Sequence, residues 1–356
     1  MTTLSPPAPL TVLVTGGAGY IGSTVCSALE DRGHTPVVLD SLVQGREEFT
    51  RGRPFYRGDI ADTALVERIL EAHPQIGAVI HLAALIVVPE SVEQPGRYYR
   101  ANVAGALALF DTLIGRGVRR LLFSSSAAVY DASATMTVSE DSPLRPLSPY
   151  ARTKAMTEQI LEDVCRAGGA RGIALRYFNP VGADPQLRSG PYLRQPSHVL
   201  GRIMEAAAGR SPVFNITGTD FDTRDGTGLR DYIHVWDLAQ AHVQAVESFD
   251  VIFARAATAG MDDTFLPINL GTGQGVTVRE LVQAFGRASG VPLTAGKAPR
   301  RPGDSAGACA VIDRARTLMD WAPQLSTEQA IRDALAWERH RATVLAGVEP
   351  SRAPLA

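Results

Sequence analysis

Tyr150 and Lys154, in Tyr150-Ala151-Arg152-Thr153-Lys154, stand at i and i+4, which on a helix puts both side chains on one face. A free phenol titrates near pH ~10 and is a poor base at neutral pH. A neighbouring ammonium and a second nearby cation would both favour the phenolate, and lowering its pKa by ~3 units takes about 4 kcal/mol of differential stabilisation, within reach of two close cations in a dry cleft. Ser126 closes the run Phe123-Ser124-Ser125-Ser126 at the end of a predicted strand. Its hydroxyl can relay a proton or orient a reacting alcohol. Together the three residues suit proton removal from a hydroxyl whose carbon gives up hydride.

Hydride needs an acceptor, and the segment Val12–Gly22 supplies a place for one. It reads as strand, glycine turn and helix, with Gly16, Gly19 and Gly22 in GxxGxxG spacing and Tyr20 and Ile21 opening the helix. Such a turn lets a pyrophosphate approach the backbone, and the helix N-terminus offers it free N–H groups. Asp40 ends the next predicted strand, roughly 20 residues on, where a carboxylate can hold the adenosine ribose hydroxyls. It repels a 2′-phosphate, Ser41 and Leu42 supply no cation, and Arg46 lies further along the loop. NAD is expected over NADP.

These residues need a scaffold. Strands are predicted at Thr11–Thr15, Val37–Asp40, Phe55–Asp59, Ala78–Leu82, Leu121–Ser125 and Ile173–Phe178. Helices are predicted at Tyr20–Arg32, Ala64–Ala72, Arg97–Arg116 and Tyr150–Ala167. The alternation argues for a parallel, doubly wound sheet covered on both faces. After Asn179 the chain turns Gly/Pro-rich, then helical over Val199–Ala208; Asp231–Phe249 reads as strand plus helix returning to the first sheet, and Thr327–Trp337 as a last helix.

The 356 residues carry 35 Lys+Arg and 37 Asp+Glu, a formal charge of −2, with 45% hydrophobic and 20% charged residues. A sizeable core is expected, without the basic footprint of a nucleic-acid binder. Apolar runs such as Ala104–Phe110 are too short to span a bilayer, and Met1–Pro9 is not patterned as a signal peptide. Cys26, Cys165 and Cys309 lack metal or disulfide spacing, so a cytoplasmic setting and no metal are expected. Asp231, His234, Asp237 and His242 lack the spacing of a zinc motif; Asp237 is expected to cap a helix and His81 to be structural.

Beyond the generic motifs stand His81-Leu82-Ala83-Ala84, Arg176-Tyr177-Phe178-Asn179-Pro180-Val181-Gly182-Ala183, Leu229-Arg230-Asp231-Tyr232-Ile233-His234-Val235 and Arg300-Arg301-Pro302-Gly303-Asp304. With these, the chain from Leu10 to about Trp337 resembles the UDP-glucose 4-epimerase (UDP-galactose 4-epimerase) family of the extended short-chain dehydrogenase/reductase superfamily. The resemblance implies an α/β fold: a Rossmann-type doubly wound parallel sheet with a smaller C-terminal α/β substrate domain. Residues 10–180 would bind NAD, with 231–250 returning to that domain; 181–340 would mainly bind substrate, and 1–9 and 341–356 would be flexible.

It also implies roles, residue by residue. Ser126, Tyr150 and Lys154 would be catalytic. Asp59 and Ile60 would hold the adenine, Leu82, Ala83 and Ala84 would line the nicotinamide side, and Asn102 and Phe178 would also meet the cofactor. Asn179, His198, Arg230 and Arg301 would hold the substrate diphosphate, Asp304 a uridine ribose, and Asn215 and Thr217 the uracil, with Val199 beside them. Ala308 would lie against the sugar's C2 substituent, where a small residue leaves room for an N-acetyl group. The expected partner is a UDP-sugar, and the expected assembly is a homodimer joined through Arg97–Arg116 and Tyr150–Ala167.

Departures from the family pattern are Ile86 for a lysine, His198 for an asparagine, Asp131 for a glycine, and the stretch Asp250–Pro267, for which the sequence offers no role. Other readings are an epimerase of another nucleotide sugar, a sugar-nucleotide dehydratase and a non-catalytic NAD-binding protein. Ala127-Ala128 after Ser126 speaks against the dehydratase, which needs acids there, and the intact Tyr–Lys pair against the non-catalytic protein.

Overall fold

Every position of Thr11–Thr15 is apolar or β-branched, a run that suits a strand covered on both faces. It forms an interior strand of a seven-stranded sheet in the computed structural model, which describes residues 8–130, 136–193, 196, 198–211, 213–262, 264–300 and 306–345. The strands are β1 (Thr11–Thr15), β2 (Thr35–Asp40), β3 (Phe55–Arg57), β4 (Ile76–His81), β5 (Arg120–Ser124), β6 (Arg171–Tyr177) and β7 (Phe265–Leu270). Their spatial order is β7-β6-β5-β4-β1-β2-β3, and every neighbouring pair is parallel. The chain runs outward from β1 to β3, returns to β4 on the other side of β1, and runs outward again. The sheet is therefore doubly wound, with its switch point between β1 and β4.

The helices that position the site are α1 (Tyr20–Asp31), α2 (Thr63–Ala72), α3 (Gly105–Gly115), α4 (Pro149–Gly168), α5 (Val199–Ala207), α6 (Val235–Glu247), α7 (Phe249–Thr258) and α8 (Thr327–Val344). Helices α1, α6 and α7 bury Val25, Leu29, Leu238, Val246 and Phe253 on one face of the sheet. Helices α2, α3 and α4 bury Val66, Leu109 and Leu161 on the other. The start and stop of α4 are written locally. Ser148 Oγ accepts the Ala151 N–H at 3.1 Å, Pro149 takes the first turn, and Gly169 ends the helix at φ +63°.

The structure corrects several expectations. Asp250–Pro267 contains α7 and the start of β7, so the stretch without a role builds the seventh strand. Leu229–His234 does not join the central sheet; it pairs with Asn179–Val181 and Gly275–Thr277 in a separate three-stranded sheet, and only α6 packs back against α1. Helix α8 runs on to Val344 and Leu345 is fully buried, so 341–345 are ordered. The predicted helix Arg97–Arg116 is interrupted: Pro95–Tyr98 is α-helical, Tyr99–Ala104 is a π-helix, and α3 follows.

Candidate active site

The switch point brings the glycine turn against the end of β4. Gly16 has φ +75°, and a Cβ there would stand 2.6 Å from the Ala83 backbone nitrogen. A Cβ on Gly22 would stand 2.1 Å from the Gly16 carbonyl oxygen. Only glycine fits at either position. Gly19 caps α1 with no side-chain hydrogen bond, so the N–H groups around Tyr20, Ile21 and Gly22 face outward without a side-chain acceptor. That is the cradle a diphosphate needs.

Asp40 stands where the ribose reading puts it. Its Oδ2 accepts the Ala18 N–H at 3.0 Å and its Oδ1 the Leu42 N–H at 2.8 Å. A carboxylate has about four acceptor sites, so two remain for hydroxyl groups. Burial pushes its pKa up, and the two N–H donors oppose the rise. Arg46 comes closer than the sequence suggests, donating its N–H to Ala18 O at 2.9 Å. Its guanidinium is engaged by Glu48 at 3.1 Å.

On the β4 side, Leu82, Ala83 and Ala84 follow the strand, with Leu82 N–H on Thr15 O at 3.0 Å. Asn102 lies in the π-helical turn and uses its amide on the protein. It accepts Leu85 N–H at 2.8 Å and donates to Leu85 O at 2.9 Å and Thr153 Oγ1 at 3.1 Å. It therefore holds the Ala83–Leu85 loop to α4. Asp59 accepts the Ala61 N–H at 2.9 Å, and Ile60 is buried against Gly105.

The reacting groups meet at the end of β5. Tyr150, Lys154 and Ser126 come together as their spacing requires, but their interactions differ from the simple picture. Lys154 Nζ donates to Ser124 O at 2.8 Å and lies 4.8 Å from the centre of the Phe123 ring. Burial pulls it down to about 7, with Glu158 opposing. Burial pushes the Tyr150 phenol up, with Ser126 opposing. Ser126 Oγ also accepts the Ala128 N–H at 3.1 Å. So Lys154 alone does not make Tyr150 a phenolate; a further positive charge is needed beside the ring.

A cavity of roughly 210 Å³ lies beyond, between α5 and the second sheet. Asn179, His198, Val199, Asn215, Thr217 and Arg230 line it, as does Arg202, and among the described residues no carboxylate does. His198 caps α5: its Nδ1 accepts the Gly201 N–H at 3.1 Å. That hydrogen bond puts the imidazole proton on Nε2, leaving a neutral donor; burial pulls its pKa to about 4. Arg230 anchors its Nη1 on Leu229 O at 2.7 Å and Ala306 O at 3.2 Å. Asn179 donates to Asp231 O at 3.2 Å. The Tyr232 hydroxyl, buried beside the cavity, has no hydrogen-bond partner among the described residues. Phe178 and Ala308 share an apolar cluster with Val129 and Val138, and Ala308 is not among the cavity-lining residues. Arg301, Asp304 and Asp131 lie outside the described residues.

The sequence missed Arg202, Phe214 and Phe221 in the cavity wall, because each lies in a segment that is unremarkable as text, and it gave Tyr232 no role although the motif around it was read. It misplaced one cap. Asp237 lies inside the first turn of α6 and accepts the N–H groups of Gln324 and Leu325, while His234 is the cap. His234 also meets Asp333 at 3.0 Å, His242 meets Ser124 at 3.0 Å, and His81 meets Thr15 at 2.7 Å. Asp231 accepts the backbone N–H groups of Thr272, Gly273 and Ala310. Among the described residues no group of His, Cys, Asp and Glu is placed to hold a metal, and no helix is long and apolar enough to cross a membrane.

Known proteins share this fold. Residues 12–255 match the NAD dependent epimerase/dehydratase family. The chain is 43% identical over 330 residues to the UDP-glucose 4-epimerase of Azospirillum brasilense, covering 92% of each. It is 38% identical, with TM-score 0.86, to a solved UDP-glucose-4-epimerase from Stenotrophomonas maltophila with bound NAD and formylated UDP-arabinopyranose, covering 94% of this chain and 99% of that one. The UDP-glucose 4-epimerase from Brucella ovis in complex with NAD is 39% identical with TM-score 0.84, covering 92% and 98%.

Proposed function

The chain belongs to the NAD dependent epimerase/dehydratase family, and we propose that it interconverts UDP-glucose and UDP-galactose by inverting C4 through a 4-keto sugar. The observation that carries this reading is the meeting of Tyr150, Lys154 and Ser126 at the end of β5, two strands from the glycine turn that follows β1. The residues present fit NAD: Gly16, Gly19 and Gly22 admit its diphosphate, Asp40 its adenosine ribose, and Asp59 and Ile60 its adenine. When bound, NAD supplies the hydride acceptor and a positive ring that favours the Tyr150 phenolate. Tyr150 then takes the proton of the sugar 4-hydroxyl, with Ser126 orienting that hydroxyl and Lys154 holding the phenolate charge. Arg230, Arg301, Asn179 and the Nε2–H of His198 anchor the diphosphate while the keto sugar turns its other face.

The purified protein, incubated with a panel of UDP-sugars and no added cofactor, is expected to interconvert C4 epimers, because the cycle regenerates its NAD. No interconversion of any UDP-sugar would sink the reading. Strict dependence on added NADP would sink the Asp40 argument.

Substrate breadth is expected from the family position that Ala308 matches, although here Ala308 packs in the apolar cluster with Phe178 and not in the cavity wall. A small side chain at that place leaves room for an N-acetyl group, so UDP-GlcNAc and UDP-GalNAc are expected as further substrates. Ala308→Tyr is then expected to lose the N-acetyl sugars and keep the hexoses. Wild-type protein that never turns over the N-acetyl sugars refutes the idea.

A homodimer and a cytoplasmic setting belong to the same proposal. Leu107 on α3 and Met156 on α4 are 39% and 40% exposed, supporting contact between copies through these helices. The three cysteines are free and buried, which suits a reducing compartment.

A further inference from the structure

Helix α4 presents three residues to the end of β5, and the proposed reaction uses only two. Tyr150, Lys154 and Glu158 follow one another at steps of four along one helix face. The strand answers with three successive serines. Ser126 interacts with the Tyr150 phenol, Ser124 gives its carbonyl oxygen to Lys154, and Ser125 donates its hydroxyl to Glu158. Glu158 is 3% exposed. Arg176 on β6 grips it with two nitrogens, Nε to Oε1 at 3.0 Å and Nη2 to Oε2 at 2.6 Å. Arg176 is held in turn by the Tyr130 hydroxyl at 2.9 Å, and that hydroxyl donates to Asn269 Oδ1 at 2.7 Å. The network thus spans α4, β5, β6 and β7.

We propose that Glu158 is a positioning residue for the C4 epimerisation. Through Ser125 it fixes the strand end bearing Ser126 against the helix face bearing Tyr150, and it places a buried carboxylate one helical turn from Lys154. The role in turnover rests on the reading given under Proposed function.

A buried ion pair need not stabilise a fold, since an apolar replacement is often as good. What this pair does provide is register. One bond from Glu158 to Ser125 sets how the neighbouring serines meet Tyr150 and Lys154, and misplacement by ~1 Å at a reacting centre can cost about 10²-fold. The other ionisable groups around the face are few. Tyr98 packs on Tyr150, with its hydroxyl turned to Val87 O and Glu90. His81, at the end of β4, is pulled down to about 3 by burial and by Lys154, so it is neutral. Tyr177 ends β6 beside Tyr150, and Glu140 lies behind Arg176. Lys154 therefore depends on Glu158 for its negative counterweight.

Two variants of the NAD-loaded protein test this. Ser125→Ala removes the strand contact and leaves every charge in place. It is expected to lower kcat about tenfold, with KM, NAD content and the pH profile unchanged. Glu158→Gln removes the charge and makes the site more positive, so its groups lose protons at lower pH. The kcat profile, its alkaline limb above all, is expected to move down by about 1 unit. The midpoint of the Tyr150 phenolate absorbance, identified by its loss in Tyr150→Phe, should move the same way without requiring turnover. Wild-type kcat in Ser125→Ala overturns the positioning role, even if Glu158→Gln fails to fold. An unmoved phenolate midpoint in folded Glu158→Gln overturns the counterweight. Wild-type protein inert on every UDP-sugar, together with a shifted midpoint in Glu158→Gln, would refute the epimerase reading while leaving the counterweight standing.

Discussion

Tyr150→Phe is expected to turn over UDP-sugar about 10²–10⁴-fold more slowly than the wild type, with its NAD still bound. The substitution removes one oxygen from a ring packed against Leu85 and Tyr98, so the surroundings keep their shape. What disappears is the atom that accepts the proton. Ser126 cannot replace it, because a hydroxyl whose oxygen already accepts the Ala128 N–H has no basic partner among its described hydrogen bonds. Lys154 cannot either, since its Nζ is committed to Ser124 O. Steady-state turnover and NAD content measured together are the check. Near-wild-type turnover would mean that the proton leaves by another route.

Gly16→Ala is expected to abolish bound NAD and lower activity at least ~100-fold. Two penalties coincide there. A residue with a Cβ at φ +75° costs roughly 1–2 kcal/mol, and this Cβ would also press on the Ala83 backbone at 2.6 Å. Backbone cannot rotate aside as a side chain can. Relief requires moving either the glycine turn or the Leu82–Ala84 loop, and both form the cofactor cradle. Gly33→Ala is the control, with φ +79° and nothing within 4 Å of the added atom. It should suffer the strain alone and keep its NAD. Cofactor extraction from both variants decides; a Gly16→Ala protein with a full complement of NAD would refute the argument.

The parts legible in the sequence were those set by short spacing. A strand–glycine–helix segment, an acid at the next strand end and a Tyr–Lys pair on one helix turn each depend on neighbours a few residues away. The central strands were legible for a similar reason, since doubly buried strands read as continuous apolar runs. The rest depends on partners far along the chain. The sheet that takes Leu229–His234 is decided by Asn179–Val181 and Gly275–Thr277, and nothing within the strand distinguishes that sheet from the central one. Strand β7 contains Pro267, which argues against a strand; it is tolerated because β7 is an edge strand. The role of Asn102 was missed because its partners, Leu85 and Thr153, lie on separate elements. Glu158 carries no local signal of its role, because its partner Arg176 stands on another element, β6.

The interleaving of the chain has a consequence for how the molecule assembles. One face of the central sheet is covered by α1 together with α6 and α7, so Val25 and Leu29 share their core with Leu238, Val246 and Phe253 from much later in the sequence. A chain emerging from the ribosome with only its first six strands would leave that face partly bare and the β6 edge open. The nucleotide-binding half is therefore not an independent folding unit, and it cannot close its core until the later helices arrive. High sequence separation between contacting partners slows the search for the native state and lengthens exposure of apolar surface.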